Sequence, residues 1–205
     1  MSLLKPSKII GVGRNYVAHA RELGNEVPTE PLIFLKPSSA LIEHGQPIVL
    51  PSASARVEYE SEIGIVITHR IRGISADEAA TLSYGVTCVN DVTARDLQKK
   101  DSQWARAKGF DSFCPAGPRV VEGLDWRKLE VIGRVNGQER QRGSSDLMVF
   151  PIPVLIAYIS AIMTLEAGDL IATGTPAGTA PLSAGDVVEV EIPGVGILSN
   201  PVKAA

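Results

Sequence analysis

The segment formed by residues 57–68 constrains the fold more than any other part of the chain, because its residues alternate in character over the length of a long strand. The apolar residues that would share one face are Val57, Tyr59, Ile63, Ile65 and Ile67, with Ser61 as the exception. The residues on the opposite face would be Glu58, Glu60, Glu62, Gly64 and Val66. The pattern therefore predicts a long strand that carries three carboxylates on one face.

Shorter strand signals recur along the chain, and several of them end at a proline. They cover residues 8–12, 32–36, 47–50, 86–90, 131–135, 138–141, 187–192 and 197–201. Helical patterns number about three and cover residues 16–23, 76–83 and 153–163. Because 19 glycines and 14 prolines also occur among the 205 residues, we expect a turn-rich α+β protein in which strands dominate.

Short polar motifs predict where helices and turns begin. The capping motifs are Asn15 before the first helix, Ser75 with Glu78 before the second, and Thr93 with Asp96 after the strand at residues 86–90. Asn136-Gly137 supplies the two positive-φ positions of a type I′ turn, which predicts a hairpin.

The charge balance and the cysteine content argue against several classes of function. The 20 basic and 23 acidic residues leave no basic excess, so we expect no nucleic-acid partner. Cys88 and Cys114 cannot build a disulfide framework and fit a reducing compartment, so we expect a cytoplasmic protein. The first eight residues lack the apolar core and cleavage site of a signal peptide.

Residues 147–165 carry no charge, and this run of 19 residues is long enough to span a membrane. Pro151 and Pro153 interrupt its first half, while Ser160 and Thr164 lie in its second. Only about a dozen residues remain as continuous helix, which is the length of a buried core helix. We therefore expect no membrane span, and the run suits packing in the core or at an interface.

The acidic residues form a candidate metal site. Glu60 and Glu62 share a strand face with Cα atoms about 6–7 Å apart, and Asp91 follows another predicted strand. Carboxylate oxygens suit Mg²⁺, Mn²⁺ or Ca²⁺ rather than zinc. The same residues also fit a solvated strand face, with Asp91 as a turn or helix cap.

His19 and Glu22 stand three residues apart on the first predicted helix, so their side chains face the same way. A carboxylate beside an imidazole fixes its tautomer and favours its protonated form, which suits general acid–base catalysis. An exposed ion pair would show the same spacing. His44 and His69 have no such partner, and we expect both on the surface.

Three basic residues and one loop could bind an anionic substrate. Lys36, Arg95 and Lys108 each fit an ordinary surface charge, but beside a metal ion they could hold an acid together. Residues 173–178 form a glycine-rich loop whose backbone N–H groups could bind an anion, although the lysine spacing of a P-loop is absent. Residues 11–13 lack the third glycine of a dinucleotide-binding motif.

Six motifs occur in a fixed order along the chain. They are Gly13-Arg-Asn-Tyr-Val-Ala-His19, Phe34-Leu-Lys-Pro37, Glu58-Tyr-Glu60-Ser-Glu62, Asp91-Val-Thr-Ala-Arg95-Asp-Leu-Gln98, Ala107-Lys108-Gly-Phe110 and Thr173-Gly-Thr-Pro176. In this order they resemble the fumarylacetoacetate hydrolase family, and most of all its short, single-domain branch of acylpyruvases and oxaloacetate decarboxylases. The resemblance covers about residues 9–202, which is nearly the whole chain.

The resemblance implies a fold, an assembly and a metal site. The family fold is a mixed β-roll of packed sheets with a few short helices, usually assembled as homodimers. The three metal-binding carboxylates match Glu60, Glu62 and Asp91, which would hold Mg²⁺ or Mn²⁺, with Ca²⁺ able to take their place. We expect one catalytic domain over residues 1–205 with its core at 9–202, without the separate N-terminal domain of full-length fumarylacetoacetases.

The resemblance also implies roles for other residues. His19 and Glu22 match the catalytic histidine and its partner acid, on a helix that orders when substrate binds. The residues that match substrate-binding positions are Lys108, Arg95, Gln98 and Thr175, and Lys36 matches the Phe-Leu-Lys-Pro motif. Lys108 is also expected to act in catalysis. Ser61 stands where many members carry an apolar residue, and we expect its side chain to point away from the ligand face.

The implied activity is metal-dependent hydrolysis of acylpyruvates, such as acetylpyruvate or fumarylpyruvate, to pyruvate and a carboxylic acid through a metal-chelated enolate. Such reactions belong to aromatic catabolism, and the partner would be a small anionic 2-keto acid. Decarboxylation of oxaloacetate and isomerisation of a 2-hydroxymuconate-type compound use the same enolate and stay open as alternatives. A further alternative is a non-catalytic, metal-dependent binder of dicarboxylates, against which the presence of both His19 and Glu22 argues.

Overall fold

The computed structural model describes residues 4–205. The first three of the eight residues considered for a signal peptide therefore lie outside the described residues. The strands are β1 (Ile9–Gly13), β2 (Leu32–Lys36), β3 (Leu41–Ile42), β4 (Ile48–Leu50), β5 (Val57–Glu58), β6 (Ser61–Val66), β7 (Gly85–Asn90), β8 (Thr93–Ala94), β9 (Cys114–Glu122), β10 (Glu130–Val135), β11 (Gln138–Ser144), β12 (Leu170–Ala172), β13 (Val187–Ile192) and β14 (Gly196–Ala204). The α-helices are α1 (Val17–Glu22), α2 (Ala76–Thr81), α3 (Arg95–Lys100), α4 (Ala105–Lys108) and α5 (Ile152–Ile162).

Two sheets form the body of the protein. Seven strands pair in the order β2-β1-β12-β6-β7-β9-β3, five pair in the order β11-β10-β13-β14-β4, and β5 pairs with β8 alone. The sheets pack face to face, because apolar side chains of β6 and β7 share one buried cluster with those of β10 and β13. The predicted β-dominant α+β fold is confirmed. The expected number of helices is too low, because α3 and α4 are too short to show a helical period.

The strand predicted at residues 57–68 is interrupted, and the prediction of one continuous strand is wrong at Tyr59 and Glu60. β5 pairs with β8, while β6 pairs with β7 and β12. The chain leaves the ladder because the Glu60 N–H donates to the side chain of Asn90 (3.0 Å) instead of to a backbone carbonyl. Both faces of the segment are buried, so the alternative of a solvated strand face is also wrong.

Two of the predicted helix caps are wrong, and the side chains bind elsewhere. Asn15 makes no cap on α1, and the Asp96 carboxylate accepts hydrogen bonds from Ser54 Oγ (2.5 Å) and the Ala55 N–H (3.0 Å). Thr93 Oγ1 donates to the carbonyl of Asp91 (2.8 Å), and the N-cap position of α3 is Ala94, which has no polar side chain to cap the helix. In each case a tertiary or turn partner replaces the local one.

The other local predictions are confirmed. Ser75 and Glu78 form the capping box of α2. Asn136 and Gly137 have φ values of 53° and 75°, as a type I′ turn between β10 and β11 requires.

Asn15 connects three segments of the chain, and we expect Asn15→Ala to lower the free energy of unfolding by about 2–3 kcal/mol. Its Oδ1 accepts the Phe150 N–H (2.8 Å), while its Nδ2 donates to the carbonyls of Phe150 (3.1 Å) and Thr173 (2.8 Å). The residue is fully buried, so the truncation leaves these groups unpaired. Urea unfolding measures the effect, and a loss of about 1 kcal/mol or less would contradict the importance of these bonds between segments.

The uncharged run contributes α5 to the core. The side chains of Ile152, Leu155, Ile156 and Ile159 are buried in the cluster between the sheets. Leu147, at the start of the run, and Ile162, three residues before its end, are more than half exposed. Within residues 4–205 no helix has the length and apolar character that crossing a membrane needs.

Candidate active site

A cavity of about 290 Å³ opens where the ends of β6 and β7 meet α1, α3 and α4. Its charged and polar lining includes Arg14, His19, Glu60, Glu62, Asp91, Arg95, Gln98, Lys99, Lys108 and Thr175. Phe34 and Trp104 form an aromatic wall, with their ring centroids 5.3 Å apart. Eight of the ten predicted site residues line the cavity, while Glu22 contacts His19 and Lys36 contacts Asp91 from outside the lining.

The three predicted metal ligands lie together. β6 and β7 run antiparallel with Ser61 opposite Asn90, so Glu60 and Asp91 face each other just beyond the paired residues. The Asp91 N–H donates to the Glu60 carbonyl (2.9 Å) and fixes this approach. One carboxylate oxygen from each of Glu60, Glu62 and Asp91 lies within 4.8 Å of the others, and all three residues are buried.

Buried cations hold two of these carboxylates. Lys108 Nζ contacts Glu60 (2.8 Å) and Asp91 (2.5 Å), and Lys36 Nζ contacts the other oxygen of Asp91 (2.6 Å). Arg95 contacts Glu60 at 2.5 Å. Burial alone would raise the pKa of Glu60, but the positive charges of Arg95 and Lys108 lower it by more than burial raises it. The pKa of Glu60 therefore lies well below its usual value. Glu60 is therefore ionised.

Glu62 has no such partner. Among residues 4–205 it forms no ion pair, and its Oε2 accepts the backbone N–H of Gly174 at 2.8 Å. Burial, together with the charges of Asp91 and Glu60, raises the pKa of Glu62 well above its usual value. Three carboxylate oxygens that point to one place are the ligands that Mg²⁺ or Mn²⁺ prefers, and the charge of Glu62 is not neutralised by any cationic side chain of residues 4–205. These residues therefore fit a divalent ion.

The loop at residues 173–178 binds carboxylates of the protein itself. Gly174 has a φ of 104°, and a Cβ there would lie 2.7 Å from the side chain of Asn15, so only glycine allows this approach. At the other end of the loop, the Gly178 N–H donates to Glu22 (3.0 Å). The predicted anion-binding loop therefore anchors one metal ligand candidate and the acid beside His19.

His19 is buried, and its two ring nitrogens face two carboxylates. Nδ1 lies 3.2 Å from Glu22 and Nε2 lies 3.8 Å from Glu60. The pair predicted from the spacing on α1 thus points into the cavity rather than to solvent. A Glu22 carboxylate that accepts from Nδ1–H leaves Nε2 as the proton acceptor inside the site.

Neighbours fix the orientation of the two polar substrate-binding candidates. Arg95 Nη1 donates to the carbonyl oxygen of Gln98 (2.9 Å), which leaves the amide NH₂ of Gln98 as the free donor. Thr175 Oγ1 donates to the Ser61 carbonyl (3.0 Å) and accepts from Gln141 (2.8 Å). The Thr175 hydroxyl proton is therefore committed within the protein.

The predicted residue Lys36 lies outside the cavity, and sequence reasoning assigned no role in the site to Glu58 or Gln141. Lys36 is buried behind Asp91 and does not line the cavity, so its ammonium supports the triad from outside. Glu58 is buried and holds Arg95 Nε (2.6 Å) and the guanidinium of Arg56 (2.6 Å). Gln141 had no local signal at all, because its partners lie 34 or more residues away.

The fold and the site define a class of protein, and comparison with known sequences identifies it. Residues 8–203 match the model of the C-terminal domain of fumarylacetoacetate (FAA) hydrolase. The match covers nearly the whole chain. The chain belongs to the fumarylacetoacetate hydrolase family.

Two similar proteins are named for reactions of oxaloacetate. The chain is 44% identical over 195 residues to a mitochondrial oxaloacetate decarboxylase of Dictyostelium discoideum, covering 92% of this chain and 89% of the relative. It is 41% identical over 195 residues to a mitochondrial oxaloacetate tautomerase of Bos taurus, covering 91% and 87%.

Solved structures share the fold over almost the same length. A 5-carboxymethyl-2-hydroxymuconate delta-isomerase from Mycobacterium smegmatis matches with a TM-score of 0.91 and 46% identity, covering 98% of this chain and 80% of the other. A fumarylpyruvate hydrolase from Pseudomonas aeruginosa, in complex with Mn²⁺ and pyruvate, matches with a TM-score of 0.91 and 29% identity, covering 98% and 91%.

Proposed function

We propose that this protein is a divalent-metal-dependent hydrolase that cleaves the C–C bond of acylpyruvates to give pyruvate and a carboxylic acid. The observation that supports this most is the position of His19, whose Nε2 lies 3.8 Å from the Glu60 carboxylate inside the cavity. Hydrolysis needs a general base that takes a proton from the attacking water, and this base must lie beside the metal site at which negative charge develops on the substrate. Loss of CO₂ from oxaloacetate needs no attacking water.

Glu60, Glu62 and Asp91 would hold Mg²⁺ or Mn²⁺. Bound there, the ion supplies Lewis-acid stabilisation of the negative charge that develops on the pyruvate half of the substrate. Lys108 keeps its charge, because Asp91 and Glu60 raise its pKa by more than burial lowers it. Two of its three N–H groups are used by these carboxylates, which leaves one for a substrate oxygen.

His19 acts as the general base in this scheme. Glu22 accepts a hydrogen bond from Nδ1–H, and Gly178 holds Glu22 in place. Nε2 then takes a proton from the water that attacks the 4-carbonyl, and the free NH₂ of Gln98 donates to the oxyanion that forms. When the C3–C4 bond breaks, the proton on Nε2 is available to C3 of the leaving pyruvate.

Oxaloacetate is the second candidate substrate. Two relatives that are 41–44% identical to this chain are named for its decarboxylation or tautomerisation. Decarboxylation gives the same pyruvate enolate, so the same charges in the cavity suit it. The two reactions differ in their need for His19.

A spectrophotometric panel tests the proposed function. Acetylpyruvate, fumarylpyruvate and oxaloacetate are supplied to the protein with Mg²⁺, with Mn²⁺ and with excess chelator. We expect metal-dependent loss of the acylpyruvates and a fall of more than about 100-fold on chelation. Turnover that survives complete chelation contradicts the metal assignment, and turnover of oxaloacetate alone favours the second candidate.

A further inference from the structure

Arg14 lines the cavity but belongs to neither the triad nor the His19–Glu22 pair. Its Nε is buried without a hydrogen-bond partner. No ion pair formed by residues 4–205 includes its guanidinium, whereas Arg95 and Lys108 are both held by carboxylates. A guanidinium left in this state is a donor group that lacks an acceptor.

The backbone around Arg14 is built to hold it there. Its φ is 57°, a left-handed value that few residues other than glycine adopt. Gly13 lies against Trp104, since a Cβ on Gly13 would be 2.8 Å from the ring, and Asn15 is tied to Phe150 and Thr173. Both neighbours are thus fixed, and the strained residue between them faces the site.

The charges of the cavity leave room for one more anion. Four cationic side chains line it, and carboxylates of the protein occupy Arg95 and Lys108. Arg14 and the exposed Lys99 form no ion pair within the described residues. None of the ion pairs among residues 4–205 joins Arg14 to the triad, so its guanidinium is free to bind a second acidic group of a substrate whose keto acid end lies at the triad.

We propose that Arg14, assisted by Lys99, binds the distal carboxylate of the substrate and makes the site selective for 2-keto acids that carry two carboxylates. The inference rests on the proposed function only in placing the 2-keto acid end at the triad. A planar guanidinium matches a carboxylate with two parallel hydrogen bonds, which favours Arg14 over Lys99 as the main contact.

Equilibrium binding tests the proposal without turnover. 2-Oxoglutarate and 2-oxopentanoate have the same chain length and differ in the distal carboxylate. We expect the Mn²⁺-loaded protein to bind 2-oxoglutarate about 10- to 100-fold more tightly in isothermal titration. Arg14→Gln should reduce this preference to about 3-fold or less, and its affinity for 2-oxopentanoate should change less than about 3-fold.

Two further variants control for structure and for general charge. Arg14→Asn also removes the charge, and asparagine tolerates a positive φ, so it should behave like the glutamine variant with an unchanged melting temperature. Arg21→Gln removes an exposed arginine outside the cavity and should keep the full preference. Equal losses for both ligands, or a preference that survives in both Arg14 variants, overturn the proposal.

Kinetics separate this proposal from the proposed function. We expect Arg14→Gln to lower kcat/KM about 10- to 100-fold for fumarylpyruvate and less than about 3-fold for acetylpyruvate. If the wild-type protein hydrolyses neither compound, the proposed function fails, and the binding preference still decides the role of Arg14.

Discussion

Replacing Glu62 with glutamine is expected to lower the affinity for Mn²⁺ by about 100-fold or more, and to stabilise the metal-free protein. The variant removes one of three ligand carboxylates, and even an outer-sphere change costs about 10- to 100-fold. The amide carbonyl of glutamine can still accept the Gly174 N–H, so the loop keeps its anchor. Without metal, the repulsion of Glu62 by Asp91 and Glu60 disappears.

Thermal or urea unfolding with and without Mn²⁺ measures both effects. At a metal concentration of 100 Kd the wild-type protein should gain about 2.7 kcal/mol, and a variant that binds 100-fold more weakly should gain about 0.4 kcal/mol. Glu30→Gln, on the exposed surface, is the matched control and should behave like the wild type. A Glu62→Gln protein with an unchanged metal titration contradicts the assignment of the triad.

The free energy of unfolding of the metal-free protein should also depend differently on pH in Glu62→Gln and in the wild type. Because the pKa of Glu62 is raised in the folded protein, the folded state keeps a proton that the unfolded chain releases near its ordinary value of 4.5. This group therefore makes the metal-free protein less stable as pH rises above about 4.5. Glu60 contributes with the opposite sign, since its pKa is lowered, and the difference between wild type and Glu62→Gln measures the contribution of Glu62 together with its coupling to Glu60 and Asp91.

Residues that act through short sequence distances were predictable. The Ser75–Glu78 box and the Asn136-Gly137 turn depend on bonds within four residues. The alternation at residues 57–68 placed Glu60 and Glu62 on one side, and Asp91 followed from its position after a strand. The motif order then linked these residues to one family, and this recognition added Gln98 and Thr175 to the candidates already named.

Features that depend on distant partners were not predictable. The break at Glu60 arises from its bond to Asn90, 30 residues away, and no local pattern marks it. Asparagine is a residue type that often caps helices, but the Asn15 side chain accepts a hydrogen bond from the N–H of Phe150, 135 residues away in the sequence. The burial of Glu58 between two arginines was hidden for the same reason, because a glutamate on a strand face more often meets water.

His19→Asn is expected to lower kcat for acylpyruvate hydrolysis by about 10²- to 10⁴-fold, the usual contribution of a general base. Glu22→Gln should cost less, since it disturbs the tautomer and orientation of His19 but leaves the imidazole in place. His69→Asn, on the exposed surface, is the matched control and should keep full activity. Discontinuous assays of pyruvate release measure the activity of all three variants.

The same histidine variant distinguishes hydrolysis from decarboxylation at one site. His19 lies 3.8 Å from Glu60 but forms no part of the carboxylate triad, so Mn²⁺ binding should persist in His19→Asn. Oxaloacetate loses CO₂ without an attacking water, so that activity should fall less than about 10-fold where acylpyruvate hydrolysis is nearly abolished. Equal losses for both substrates would mean that His19 serves a step common to them, such as protonation of the enolate, and would contradict its assignment as the base for water alone.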